Sequence, residues 1–175
     1  MKNIGFLALI AIFLFSACNS KPAPSGTSDL ANLEKTTTTP FTDTVKLDTF
    51  KVTLQGKTSK ESALIFKIIS YQGEEIYNIS IKGNELIKEN TKLKTESDKI
   101  NFLKNEVQYF FEEEHFLWPA VMPNEQADKN VPDKDFHNEL KQTQLNGFNY
   151  RLGKEAKVYI AWSVKENKVK VYYRL

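Results

Sequence analysis

The chain of 175 residues holds one cysteine, Cys18, and everything after it is free of thiols. That excludes a disulfide framework, a zinc–thiolate site and a cysteine nucleophile from the rest of the chain. Arginine is almost as scarce. Arg151 and Arg174 are the only two, so bidentate recognition of phosphate or carboxylate has little to work with. Charge of one sign is missing too, with 24 Lys+Arg against 22 Asp+Glu. Such a balance supplies no field to steer nucleic acid, and no nucleic-acid partner is expected. There is no Gly-x-Ser-x-Gly elbow, no His-Glu-x-x-His pair, no phosphate-binding loop and no dinucleotide fingerprint. No cofactor is expected, and the chain is read as non-enzymatic. No apolar run reaches the roughly 20 residues needed to cross a bilayer as a helix.

What the chain does have begins at its start. Met1-Lys2-Asn3 carries one positive charge, and Ile4 to Phe15 are all apolar or small. That length suits the apolar region of a signal peptide. Phe15-Ser16-Ala17-Cys18 then resembles the lipobox of bacterial lipoproteins, with Phe15 where leucine is usual. The resemblance implies cleavage before Cys18 and acylation of Cys18 by two or three chains. At about 0.8 kcal/mol per buried CH₂, these would anchor the protein firmly to a lipid membrane. Asn19 is not the aspartate associated with inner-membrane retention, and no acidic run follows the cysteine. The expected address is therefore the bacterial cell envelope, lipid-anchored in the outer membrane and facing the periplasm.

Residues 1–17 are thus read as signal peptide. Residues 18–47, rich in Pro, Ser, Thr and Gly with scattered apolar side chains, are read as the lipidated cysteine and a disordered tether. Residues 48–175 are read as one domain, large enough to bury a core. Its opening, "TFKVTLQG", alternates as a half-buried strand. In "SALIFKIISYQGEEIYNISIKG", a turn at Gly73-Glu74 pairs Phe66 with Ile81, Ile68 with Ile79 and Ser70 with Tyr77. A second turn at Gly83-Asn84 leads into another strand and sets Leu86 opposite Ile81. Ile100, Leu103, Val107 and Phe110 follow helical spacing, with Thr95 or Ser97 as cap and Asp98 in the first turn. Glu112 to Glu114 oppose the helix dipole and should end it. A long loop follows, then a strand or short helix around Phe136–Leu145. At the C-terminus a turn at Glu166-Asn167 pairs Val164 with Val169, Trp162 with Val171 and Ile160 with Tyr173. The fold class expected is α+β: a mostly antiparallel sheet of about six to eight strands with one main helix packed on it. In its lipobox, its "YQGEEIYN" hairpin and the order "FLK…DFHNELK…GFNY", the chain resembles small uncharacterised lipoproteins of Bacteroidota, a likeness that implies no activity.

Three stretches carry candidate chemistry. "DKDFH" sets Asp133, Asp135 and His137 at alternate positions, which on an extended segment would point one way toward a divalent metal or form the centre of an envelope hydrolase; aspartates near an N-terminus more often cap a helix, so no metal is expected there. "EEEH" puts three glutamates beside His115, but consecutive helical residues diverge by about 100°. "HFLWPAVMP", residues 115–123, is barred from regular structure by two prolines. It either folds back as a lid on the sheet or exposes Phe116, Trp118 and Met122 as a binding patch for a protein, peptide or glycan. The function expected is a membrane-anchored envelope lipoprotein whose domain binds a partner; the hydrolase is the alternative.

Overall fold

The computed structural model describes residues 33–88, 90–153 and 156–175. Two antiparallel sheets of four strands each, with helices between and upon them, make a mixed α+β fold. The strands expected in one sheet of about six to eight are therefore divided between two sheets of four.

The first sheet is a meander of β1 (Leu33–Pro40), β2 (Leu47–Gln55), β3 (Ala63–Ile69) and β4 (Glu75–Lys82). In β2 the side chains of Asp48, Phe50, Val52 and Leu54 are buried while their neighbours face outward, as the alternation requires. The strand β1 corrects the expectation of a tether running to residue 47. It pairs with β2 along its whole length, from Leu33 opposite Leu54 to Pro40 opposite Leu47. Its four threonines make no apolar stripe, but β-branched side chains suit a half-covered pleated surface. Leu33, Lys35, Thr37 and Thr39 face inward, and the Lys35 ammonium donates to the Gln108 carbonyl at the end of a helix. An inward lysine and a terminal proline also guard this edge strand against further pairing.

Asp48 ties the turns of this sheet together. It is fully buried, and its carboxylate accepts from the Phe41 N–H (3.2 Å), the Thr42 N–H (2.7 Å), the Thr42 hydroxyl and the Tyr71 N–H (2.8 Å). A buried carboxylate is tolerated only with such partners. The β3–β4 register is Leu64–Ile81, Phe66–Ile79 and Ile68–Tyr77, two residues away from the expected pairing. The cause is a longer turn. Gly73, at φ +89°, donates to the Ser70 carbonyl, and Ser70 donates to Glu74. A shift of two keeps every side chain on its expected face.

The stretch after Gly83 is a short helix, α1 (Gly83–Ile87), and not the expected strand. Gly83 donates to the Ser62 carbonyl (2.8 Å) and sits so close that a Cβ there would meet the Ser62 hydroxyl at 2.2 Å. Leu86 is buried nonetheless. The main helix, α2 (Glu96–Gln108), starts as expected with a capping box: the Thr95 hydroxyl accepts from the Asp98 N–H and the Asp98 carboxylate accepts from the Thr95 N–H. Ile100, Leu103 and Val107 are buried on it, and Phe110 just beyond; Glu112–Glu114 lie past its end. Glu96 accepts from the N–H and hydroxyl of Ser59, and these bonds hold its carboxyl below the usual range.

The second sheet has the order β5 (Phe116–Leu117), β6 (Gly147–Arg151), β7 (Lys157–Ser163) and β8 (Lys168–Arg174). One face of it shares the main core with the first sheet and α2, where Phe50, Phe66, Phe110, Phe148 and Tyr150 pack ring against ring. A further helix, α3 (Lys134–Thr143), covers the other face. There Phe136 and Leu140 meet Ala161, Tyr172, Ala120 and Val121 in a second buried cluster. The β7–β8 register is also displaced by two near its turn, with Trp162 opposite Val169 and Ile160 opposite Val171. Val164 to Asn167 form the turn, with Asn167 at φ +52°. Glu139 of α3 explains the longer turn: its buried carboxylate accepts from the Ser163 hydroxyl and the Lys165 N–H, each at 3.1 Å.

Candidate functional site

The segment from His115 to Glu125 alternates between anchors and exposed side chains. His115 closes a single 3₁₀ turn, Glu113–His115, and its Nδ1 lies 3.0 Å from the Asn149 carbonyl. The Asn149 amide donates to the carbonyls of Glu114 and His115. Phe116 is half-buried against Phe148 (4.9 Å between ring centroids) and Phe50 (5.8 Å), so it belongs to the core's edge and not to an exposed patch. Trp118 is 57% exposed and stacks on Phe116, 6.1 Å between centroids and 15° between planes. The Trp118–Pro119 peptide is cis. Ala120 donates to the Leu145 carbonyl (2.8 Å), and Ala120 and Val121 are buried in the second cluster. Met122 then turns outward, 52% exposed, while its N–H donates to the Glu125 carboxylate. Lys141 of α3 donates to the Glu125 carbonyl (2.8 Å). The loop is therefore a lid through Phe116, Ala120 and Val121, and a presented surface through Trp118 and Met122. A period-free stretch of sequence cannot disclose that division, because Leu145, Phe148 and Asn149 decide it.

The three residues of "DKDFH" do not converge. They start α3 instead of running extended, and residues two apart on a helix point in different directions. Asp133 is the N-cap, accepting from the Phe136 N–H (3.0 Å), and pairs with Lys170 at 2.8 Å. Those bonds, the lysine's first, hold its carboxyl below the usual range. Asp135 is exposed in the first turn. His137 is 1% exposed, turned into the second cluster. Among the described residues no three His, Cys, Asp or Glu side chains are grouped to hold a metal ion, and Asp133, Asp135 and His137 do not form the set that an extended segment would have offered. Both ring nitrogens of His137 lack a hydrogen-bond partner, and the nearest carboxylate oxygen, on Glu125, is 3.9 Å from Nε2. The Tyr172 hydroxyl beside this cluster is also buried and unpartnered; burial, and then the Glu125 charge, push its pKa up.

A cleft of about 520 Å³ opens between the end of α2, the Glu113–His115 turn and β6. Its floor is apolar, from Leu64, Leu86, Phe102 and Phe110, and its rim is charged. Part of this rim is engaged internally. Arg151 pairs with Glu106, and the Tyr150 hydroxyl bonds that of Tyr77 at 2.6 Å. The lining residues come from separate stretches of chain, and only the helix periodicity of Phe110 could have hinted at one of them.

Cys18 lies outside the described residues, and among those described no helix is long and apolar enough to cross a membrane. Comparison with protein-family models, with curated proteins and with solved structures gives no match for this chain.

Proposed function

We propose that the protein is a non-enzymatic binding module of the bacterial cell envelope, anchored by lipid at Cys18 and engaging a protein or peptide through Trp118 and Met122. The observation that carries this reading is the exposure of Trp118 and Met122 from a loop whose intervening residues, Ala120 and Val121, are buried. Two large apolar side chains held outward on fixed anchors lose little freedom on binding, and tryptophan is among the residues that dominate interface energies. Methionine's flexible thioether adapts to the partner's shape. The hydrolase alternative at His137 has less support, since that ring is sealed between α3 and the second sheet.

The test is a photo-crosslinking residue placed at position 118 in living cells. A discrete adduct, lost when Met122→Ser is added and absent when the crosslinker sits at the equally exposed Leu175, is the expected result. Equal labelling from positions 118 and 175 would sink the proposal. The anchor is tested separately: Cys18→Ser should release the protein from the membrane fraction and abolish incorporation of a labelled fatty acid.

A further inference from the structure

A second, smaller crevice lies where a turn of each sheet meets the other. Thr42 of the β1–β2 loop, Ser70 to Gln72 and Glu74 of the β3–β4 turn, Trp162 of β7 and Asn167 of the β7–β8 turn surround about 180 Å³. That volume falls below the ~300 Å³ at which pockets for drug-sized ligands begin, and it admits one six-membered ring. The lining combines two aromatic side chains, Tyr71 and Trp162, with hydroxyls and amides. It contains no lysine or arginine, and its one charge is the Glu74 carboxylate. The Lys46 ammonium sits over the Tyr71 ring, 4.3 Å from its centroid, which covers one face of that ring and leaves the other, while the Glu74 carboxylate would repel an anion such as phosphate.

The polar groups have capacity to spare. The Ser70 hydroxyl oxygen accepts from the N–H groups of Gln72 and Glu74, which leaves its own proton to donate. The Gln72 amide nitrogen donates to the Tyr71 hydroxyl (3.1 Å), leaving its oxygen as acceptor. Among the described residues the side chains of Asn167 and Glu74 make no hydrogen bond. Nor is the frame loose. Asp48 accepts from backbone N–H groups on both sides, at Thr42 and at Tyr71. A held frame lowers the ordering cost of binding.

We propose that this crevice is a monosaccharide subsite that takes one neutral pyranose ring of a glycan. The C–H face of such a ring carries partial positive charge and is drawn to the negative faces of aromatic rings. Its hydroxyls, donors and acceptors at once, match Ser70, Gln72, Asn167 and the Glu74 carboxylate. This site is separate from the Trp118 surface and stands or falls without it.

The experiment is saturation-transfer NMR on the full chain in detergent micelles, with glucose, galactose, mannose and N-acetylglucosamine as probes. At least one of the four should receive saturation and shift the Trp162 indole N–H signal. Tyr71→Ala should weaken that binding by about tenfold or more. Asn167→Gly, which suits the positive φ of that position, should weaken it while leaving the fold intact. Trp118→Ala should leave it unchanged. The proposal is overturned if none of the four sugars is saturated, or if Tyr71→Ala and Asn167→Gly bind as tightly as the wild type.

Discussion

The two faces of the second sheet are covered in different ways. Toward the first sheet and α2 it meets a core of phenylalanines, in which Phe66 alone lies within 6.5 Å, centroid to centroid, of Phe50, Phe110, Phe111, Phe148 and Tyr150. Toward α3 it meets a thinner cluster of Phe136, Leu140 and Val121, and on that side His137, Glu139 and the hydroxyls of Thr143 and Tyr172 are buried. Glu139 is fully engaged there, whereas His137, Thr143 and Tyr172 have buried polar atoms with no protein partner. The first face is held mainly by apolar contact, with one bond between the hydroxyls of Tyr77 and Tyr150. The second trades some of that contact for polar groups, and the loop presenting Trp118 and Met122 is anchored on both, through Phe116 on the first and through Ala120 and Val121 on the second.

This contrast makes ordered predictions. Phe66→Ala should be the most damaging, costing about 3–5 kcal/mol, because it empties the centre of the ring cluster. Chemical denaturation would read it, and a loss under 1 kcal/mol would mean that the core collapses around the gap. Glu139→Ala comes next, at about 2–3 kcal/mol, since it strips a charged acceptor from a buried hydroxyl and from the Lys165 N–H. Hydrogen exchange should locate the loss at the β7–β8 turn; uniform loss across the sheet would show that Glu139 does more than hold that turn. The smallest effect is expected of His137→Leu, unchanged stability or a gain of up to about 1 kcal/mol, because it removes two buried nitrogens without partners. A drop of more than about 2 kcal/mol would contradict the contrast and show a satisfied network at His137.

Legibility in the sequence followed the range of the forces involved. The helix α2 was legible in its apolar face and its end, and its start to within the choice of Thr95 or Ser97 as cap, because periodicity, capping and terminal charge all act within a few residues. Both hairpins were wrong in register by two residues near the turn; the first was legible in face, and the second only for Ile160, Trp162, Val169 and Val171, since Val164 lies exposed in the turn and Tyr173 packs on the α3 side. Face is set by alternation along one strand, whereas register near a turn depends on what the turn touches, which for β7–β8 is Glu139 on a distant helix. The strand β1 was not legible, because "TTTT" is stabilised by the ladder it forms with β2 and by a lysine reaching to Gln108. At "DKDFH" the extended metal set does not form, and the chain adopts the helix capping that aspartates near an N-terminus favour, with Asp133 as the cap.

The sequence by itself determined the α+β character, the main helix, the inward faces of β2, β3 and β4 and the identity of the aromatic side chains that fill the core. These depend on periodicity and local capping, which neighbouring residues impose on one another. Only the tertiary structure decided the division into two sheets, the burial of His137, the splitting of residues 115–123 into anchors and exposed side chains, and the crevice between Tyr71 and Trp162. Each of those depends on which surface a residue meets from a distant part of the chain, and a linear pattern carries no measure of that meeting.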